Sequence, residues 1–181
     1  MTNITRDKSV TYRSHRPGDI GHIIHRHGTF YAEEYGSDER FEALVARIMA
    51  DFIDNYDPAR ERCWIAERDG QILGFVCLVK DAESGGDCTD TARLRVLFVE
   101  PAARGLGIGR QLVQNCLDFA RDKSYRRIVL FTQSILTSAQ RLYGNAGFRL
   151  IGEEEEAKEN YFPPGARIQH WALDLTEDDA R

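Results

Sequence analysis

Residues Leu94 to Arg110 read LRVLFVEPAARGLGIGR. An apolar strand, Leu94 to Val99, stops at Pro101 and leads through a glycine-rich turn into a helix that starts near Gly107. Gly105, Gly107 and Gly109 remove side chains where backbone must come close to something else. The N–H groups that open a helix have no partner inside it, and the helix dipole adds partial positive charge there. The segment therefore reads as an anion site matched to a diphosphate, with Arg104 and Arg110 bracketing it as charge-assisted donors. The alternative is a glycine-rich turn that binds nothing. Two nucleotide readings fail. A mononucleotide loop needs Gly-Lys-Ser/Thr, and this chain has Gly109-Arg110-Gln111. A dinucleotide fingerprint needs G-x-G-x-x-G in the first strand–helix unit and an acid about 20 residues on. The glycines here are spaced G-x-G-x-G after several strands, and the residues near Val129 are apolar.

Working outward, Ser9 to Ser14 suits a first strand, and Pro17-Gly18-Asp19 breaks it with Asp19 placed to cap a helix. That helix carries Ile20, Ile23, Ile24, His27 and Tyr31 on one stripe. A second helix has the cleanest period in the chain, with Phe41, Leu44, Val45, Ile48, Met49, Phe52 and Ile53, ending near Asn55. Cys63 to Arg68 and Gln71 to Lys80 flank Asp69-Gly70, a hairpin turn, and Asp81 to Asp90 reads as a mobile polar loop. Leu112, Val113, Cys116, Leu117 and Ala120 give the helix after the glycines its buried stripe. Ile128 to Thr132 is a central strand, a short helix spans Ser138 to Asn145, and strands Phe148 to Glu154 and Ile168 to Leu175 close the chain. The order βααβββαβαββ predicts a single α/β domain over 1–181, its sheet mixed and mostly antiparallel, with about six or seven strands and about four helices.

The 181 residues carry 24 basic and 29 acidic side chains, a net charge of −5, without the basic face of a nucleic-acid binder. Cys63, Cys77, Cys88 and Cys116 show no C-x-x-C spacing, and no apolar run approaches a membrane span or a signal peptide. The expectation is a cytoplasmic protein without disulfides. His22, His25 and His27 do not share one helix face or an i, i+4 pair, so no metal is expected. The Glu153 to Glu156 run either attracts a cationic acceptor or is a solvated strand end.

Arg104-Gly105-Leu106-Gly107-Ile108-Gly109 resembles the R/Q-x-x-G-x-G/A signature of the GNAT superfamily, the Gcn5-related N-acetyltransferases. Downstream, Ala139 to Phe148 (AQRLYGNAGF) resembles that family's A-x-x-L-Y-x-x-x-G-F. The stretch from Arg16 to Ala66 is similar to the acetyltransferase half of bacterial MarR–GNAT fusion proteins; the winged helix is absent, and no DNA-binding role is carried over. The resemblance implies a GNAT fold, acetyl-CoA as cosubstrate, and transfer of its acetyl group to the primary amine of a small molecule, amino acid or peptide. It implies that amides from Arg104 to Arg110 hold the CoA diphosphate. It also implies that the strand carrying Leu97, Phe98 and Val99 splays from its parallel neighbour to pair with pantetheine. Tyr143 would lie near the sulfur as general acid, and the amide of Val99 or Phe98 would serve the oxyanion. One departure is Leu136, where family members often place an asparagine.

For the general base, His27 is the first candidate, since histidine titrates near neutral pH, and its alternative is a core or helix-capping histidine. Glu100 and Glu67 are carboxylate alternatives. Tyr161 to Gly165 (YFPPG) reads as a loop that walls the acceptor site or meets a second subunit, and exposed strand edges make a homodimer plausible. A second class of reading is a catalytically silent acyl-CoA-binding sensor or regulatory module.

Overall fold

The computed structural model describes residues 9–81, 90–154, 161 and 165–175. The hairpin forms as its turn dipeptide predicts. Asp69 (φ 52°) and Gly70 (φ 79°) both take left-handed backbone, which suits the strand twist and joins β2 (Arg62–Arg68) to β3 (Gln71–Lys80). To one side of this pair lies β1 (Thr11–Ser14) and to the other β4 (Thr91–Val99). The remaining strands are β5 (Arg127–Gln133), β6 (Arg149–Glu154) and β7 (Ile168–Asp174). They form one seven-stranded sheet in the order β1-β2-β3-β4-β5-β7-β6, in which only β4 and β5 run parallel.

The helices are α1 (Asp19–Tyr35), α2 (Glu39–Asp54), α3 (Ile108–Asp122) and α4 (Thr137–Asn145). Strand alternation sends successive side chains to opposite layers. Cys63 and Ile65 of β2 join Ile23, Phe41, Met49 and Phe52 beneath α1 and α2. Trp64 and Ala66 join Leu112, Cys116, Ile128 and Leu130 beneath α3. Leu112 and Cys116 are fully buried; burying a leucine side chain of this kind is worth about 1.5–3 kcal/mol. This stripe holds α3 so that its N-terminus faces the end of β4, which is how the core positions the glycine loop.

Several sequence expectations shift. Asp19 does not cap α1. Gly18 takes the N-cap position in left-handed backbone, and the Asp19 carboxylate instead binds Arg13 at 2.6 Å and the Arg16 N–H at 2.8 Å. The cap of α2 is Asp38, which accepts from the Arg40 N–H at 3.0 Å. Ile53 extends the α2 period but lies outside the buried face, 44% exposed. The polar loop after β3 falls largely outside the described residues, as does Cys88; at its margin Asp81 and Arg93 form a buried ion pair at 2.6 Å. Cys63, Cys77 and Cys116 are buried free thiols.

Candidate active site

The β4 strand is irregular where it meets the site. Its register with β3 slips between Phe75 and Cys77, so Val96 and Leu97 together oppose Val76. Val96 there takes φ 51°, a left-handed conformation that a β-branched residue enters only under constraint. The bulge bends β4 away from β5. Their parallel pairing ends at Arg93↔Val129, which leaves Leu94 to Val99 without ladder bonds on that side. The sequence anticipates the splay through resemblance, while the bulge that causes it has no signal in a valine codon.

A cavity of about 1370 Å³ opens in this fork. Its floor is β4 from Arg93 to Val99, and one wall is the start of α3 with α4. The opposite wall is α1 and α2, through His27, Phe30, Tyr31, Phe41 and Val45. Tyr161 also lines it, its hydroxyl accepting from Arg47 at 3.3 Å; residues 162–164 of the predicted loop lie outside the described residues.

At the loop, Gly105 (φ 82°) and Gly107 (φ 78°) are both left-handed, and a Cβ on either meets nothing within 4 Å. Their requirement is therefore one of backbone conformation, with the open side left for a ligand. Gly109 differs: a Cβ there would stand 3.2 Å from Leu142 and 3.5 Å from Val99, so it serves packing. The Arg104 N–H is already bonded to the Pro101 carbonyl at 3.3 Å and cannot join a phosphate cradle as expected. From Gly105 to Arg110, by contrast, no backbone N–H finds a partner among the described residues. Gln111 resumes the helical ladder by bonding Gly107 O at 3.0 Å. A run of unpaired donors at a helix mouth is the arrangement that suits an anion. Leu106 is 54% exposed and can contribute only its N–H. Arg104 stands 5.1 Å from the Phe30 ring centre, linking loop to α1.

Tyr143 lies deep in the cavity, 5% exposed, packed edge-on to Phe148 at 5.9 Å. Burial, with a contribution from neighbouring Tyr31, pushes its phenol above the ordinary value, so it holds its proton. Tyr31, read from sequence only as part of the α1 stripe, is a second phenol of the same cavity and is raised chiefly by burial as well. His27 sits among Tyr31, Phe41, Phe75 and Phe98, with its Nδ1 3.0 Å from Ile23 O. Burial lowers it to about 4, against a smaller opposing effect of that hydrogen bond, so the ring is neutral at pH 7.

The other base candidates are engaged elsewhere. Glu100 makes a two-pronged bond to Arg26 at 2.6 and 2.8 Å, tying α1 to the exit of β4. Glu67 binds Arg13 at 2.7 Å and Arg16 at 3.3 Å on β2. Of the acidic run, Glu153 faces Arg167 at 3.9 Å and Glu154 pairs with His170, and neither lines the cavity. Leu136 does line it, at the N-cap of α4, with no side-chain cap bond. Among the described residues no group of three or more His, Cys, Asp or Glu gathers in metal-binding array, and no helix is long and apolar enough to cross a membrane.

Comparison with known proteins agrees with this geometry. A family model described as Acetyltransferase (GNAT) family matches residues 23–148. N-acetyltransferase 8F1 of Rattus norvegicus is 37% identical over 107 residues, 58% of this chain and 47% of the relative. N-acetylaspartate synthetase of Danio rerio is 32% identical over 143 residues, 72% of this chain and 48% of the relative. The chain thus spans about half the length of the curated relatives it matches. In fold it is similar to yncA of Salmonella typhimurium, solved with its cofactor acetyl-CoA (TM-score 0.73, 19% identity, 93% of this chain and 95% of that one). It is likewise similar to a GCN5-related N-acetyltransferase from Kribbella flavida (TM-score 0.71, 24% identity, 92% and 98%).

Proposed function

The chain belongs to the acetyltransferase (GNAT) family, and on that premise we propose that it is an N-acetyltransferase that moves the acetyl group of acetyl-CoA to a primary amine by direct attack. The observation that carries this reading is the row of partnerless N–H groups from Gly105 to Arg110 at the mouth of α3, opening into the fork between β4 and β5. The diphosphate of CoA sits on that row, between Arg104 and Arg110. Pantetheine runs along the free edge of Leu97, Phe98 and Val99, adding a strand to the gap.

In the reaction the neutral amine nitrogen attacks the thioester carbonyl carbon. A C–N bond forms, the C–S bond breaks, and the leaving thiolate takes the Tyr143 proton. The thiolate of a thiol with a pKa of about 8.5 is a weaker base than a phenolate, but the burial that raises the Tyr143 phenol also raises the pKa of a thiol released beside it. The oxyanion is held by the amide of Val99 or Phe98. His27, neutral and among aromatic rings, serves better as a wall than as a base, and the amine's proton leaves through water. The same reading keeps the chain as a single acyltransferase domain acting in the cytoplasm, alone or as a homodimer, without metal, nucleic acid or membrane. The likeness of residues 16–66 to MarR–GNAT fusions stands on sequence alone.

Turnover tests the reading directly. Acetyl-CoA with a panel of small amines, amino acids and peptides should release free thiol in step with an acetylated product identified by mass. Tight acetyl-CoA binding without thiol release for any amine would instead favour a silent sensor or regulatory module, a reading to which Leu136 and the lack of a cavity-lining carboxylate among the described residues lend support.

A further inference from the structure

Gln133 closes β5 and stands beyond the last rung that β5 shares with β4, Arg93↔Val129, so it lies in the open part of the fork. Its side of the sheet follows from alternation. Ile128 and Leu130 lie in the core beneath α3, which turns Val129, Phe131 and Gln133 toward the side of α1 and α2. Ile168, its partner across the antiparallel pair with β7, faces the same way and lines the same cavity as Gln133. Gln133 is 5% exposed, yet its Oε1 accepts no hydrogen bond and its Nε2 donates none among the described residues. The backbone carbonyl of the same residue is well engaged, accepting from the Leu136 N–H at 3.0 Å and from Gln140 Nε2 at 3.2 Å. Those bonds fix the end of the strand and leave the carboxamide to the cavity. A buried carboxamide oxygen without a partner costs stability. A half-turn about the last side-chain bond presents either its oxygen or its nitrogen to the cavity.

Resting on the acyl-transfer reading above, we infer that Gln133 binds the acceptor, its Oε1 accepting an N–H of the attacking primary amine. Tyr143 belongs to the core beneath α3, so the two groups reach the fork from opposite sides of the sheet. With pantetheine in the gap as an added strand, the proton for the leaving thiolate comes from one side and the amine from the other. A primary amine has two N–H groups and one lone pair. Holding one N–H at Oε1 fixes the nitrogen with its lone pair free to meet the carbonyl carbon. As the C–N bond forms, the nitrogen gains positive charge, and its hydrogen bond to Oε1 strengthens. The neutrality of the carboxamide matters as well. A carboxylate in its place would hold the acceptor as an ammonium ion, which has no lone pair to attack with. Gln133 accepts the same bond without adding a charge.

The test is Gln133→Met, close in length and volume but without a strong hydrogen-bonding group. It is assayed by thiol release from acetyl-CoA with ethylamine, phenethylamine, putrescine, leucine, lysine and trialanine, and kinetics are compared on the amine that the parent protein acetylates fastest. The inference predicts a kcat/KM for that amine lower by about 10- to 100-fold, the loss expected for a hydrogen bond to a group that becomes charged, divided between a higher KM and a lower kcat. The Kd for acetyl-CoA by calorimetry should stay within about threefold, since the cofactor is held along β4 and at the glycine loop. The urea midpoint should equal or exceed the parent's, because the substitution removes an unpartnered polar group. Unchanged amine kinetics overturn the inference while leaving the acyl-transfer reading intact. So does a loss that falls on the Kd for acetyl-CoA, which makes Gln133 a cofactor ligand, and so does a lowered midpoint, which makes it a structural contact. No thiol release by the parent with any of these amines, while acetyl-CoA binds, defeats the acyl-transfer reading and this inference with it.

Discussion

Tyr143 and His27 carry similar sequence credentials, an ionisable ring on a helix facing the sheet, and burial separates them. The phenol is raised and keeps a proton to give, whereas the imidazole is lowered to about 4 and holds none at neutral pH. Tyr143→Phe should cut kcat by about 100-fold or more, the low end for a general acid, with CoA affinity nearly unchanged. Equal losses in both would mean that the ring merely packs the cofactor. His27 also makes a stability prediction. Its folded pKa lies below the unfolded value near 6.5, so between those values the unfolded chain binds the extra proton. Its contribution is therefore present above pH 6.5 and is lost as pH falls toward 4. The loss amounts to as much as about 3 kcal/mol for a shift of this size. Half-buried His15 and His22 are lowered by burial too and add in the same direction. Urea unfolding at pH 7, 6 and 5 should show His27→Phe losing less stability than the parent. Parallel curves would mean that His27 is not desolvated as the structure places it.

At the scale of elements, the glycine loop and the α1 contact are separable. Gly107 at φ 78° cannot become valine without about 1–2 kcal/mol of backbone cost or a changed turn. Gly107→Val should raise the Kd for CoA at least about 100-fold while the chain still folds, because α3 is held by its buried stripe and not by this turn. Unaltered CoA affinity by calorimetry would remove the loop from the site. Glu100→Gln probes the Arg26 contact. It should leave the pH profile of kcat/KM in place and cost about 1 kcal/mol of stability, the upper end for a partly buried surface ion pair; a lost basic limb would restore Glu100 as the base. The sequence makes most elements legible through period and punctuation. The seven apolar positions of α2 recur at helical spacing, and Asp69-Gly70 fixes the hairpin. The capping role of Asp19 misleads because Gly18 accepts left-handed backbone and frees the carboxylate for Arg13. The bulge at Val96 leaves no trace in residue type, since it is imposed by the strands around it.

At the scale of the whole molecule, the sheet order and the parallel pair follow from element order, and the glycine motif tells where along that order a ligand enters. The make-up of the cavity does not follow. That Arg95 and Tyr31 face Tyr143's cavity, while Glu67, Glu100 and Glu153 turn to arginine partners, depends on register and on contacts between residues far apart in the chain. Net charge is no guide to the lining either, since four arginines of a chain at −5 line this one cavity. The central claim is that the backbone N–H groups of residues 105–110 bind the diphosphate of coenzyme A, and amide resonances in ¹⁵N-labelled protein titrated with coenzyme A report on it directly. The amides from Gly105 to Arg110 should shift together along one saturation curve, with the Arg104 amide moving least. A titration in which CoA moves other amides and leaves those six in place would contradict the account.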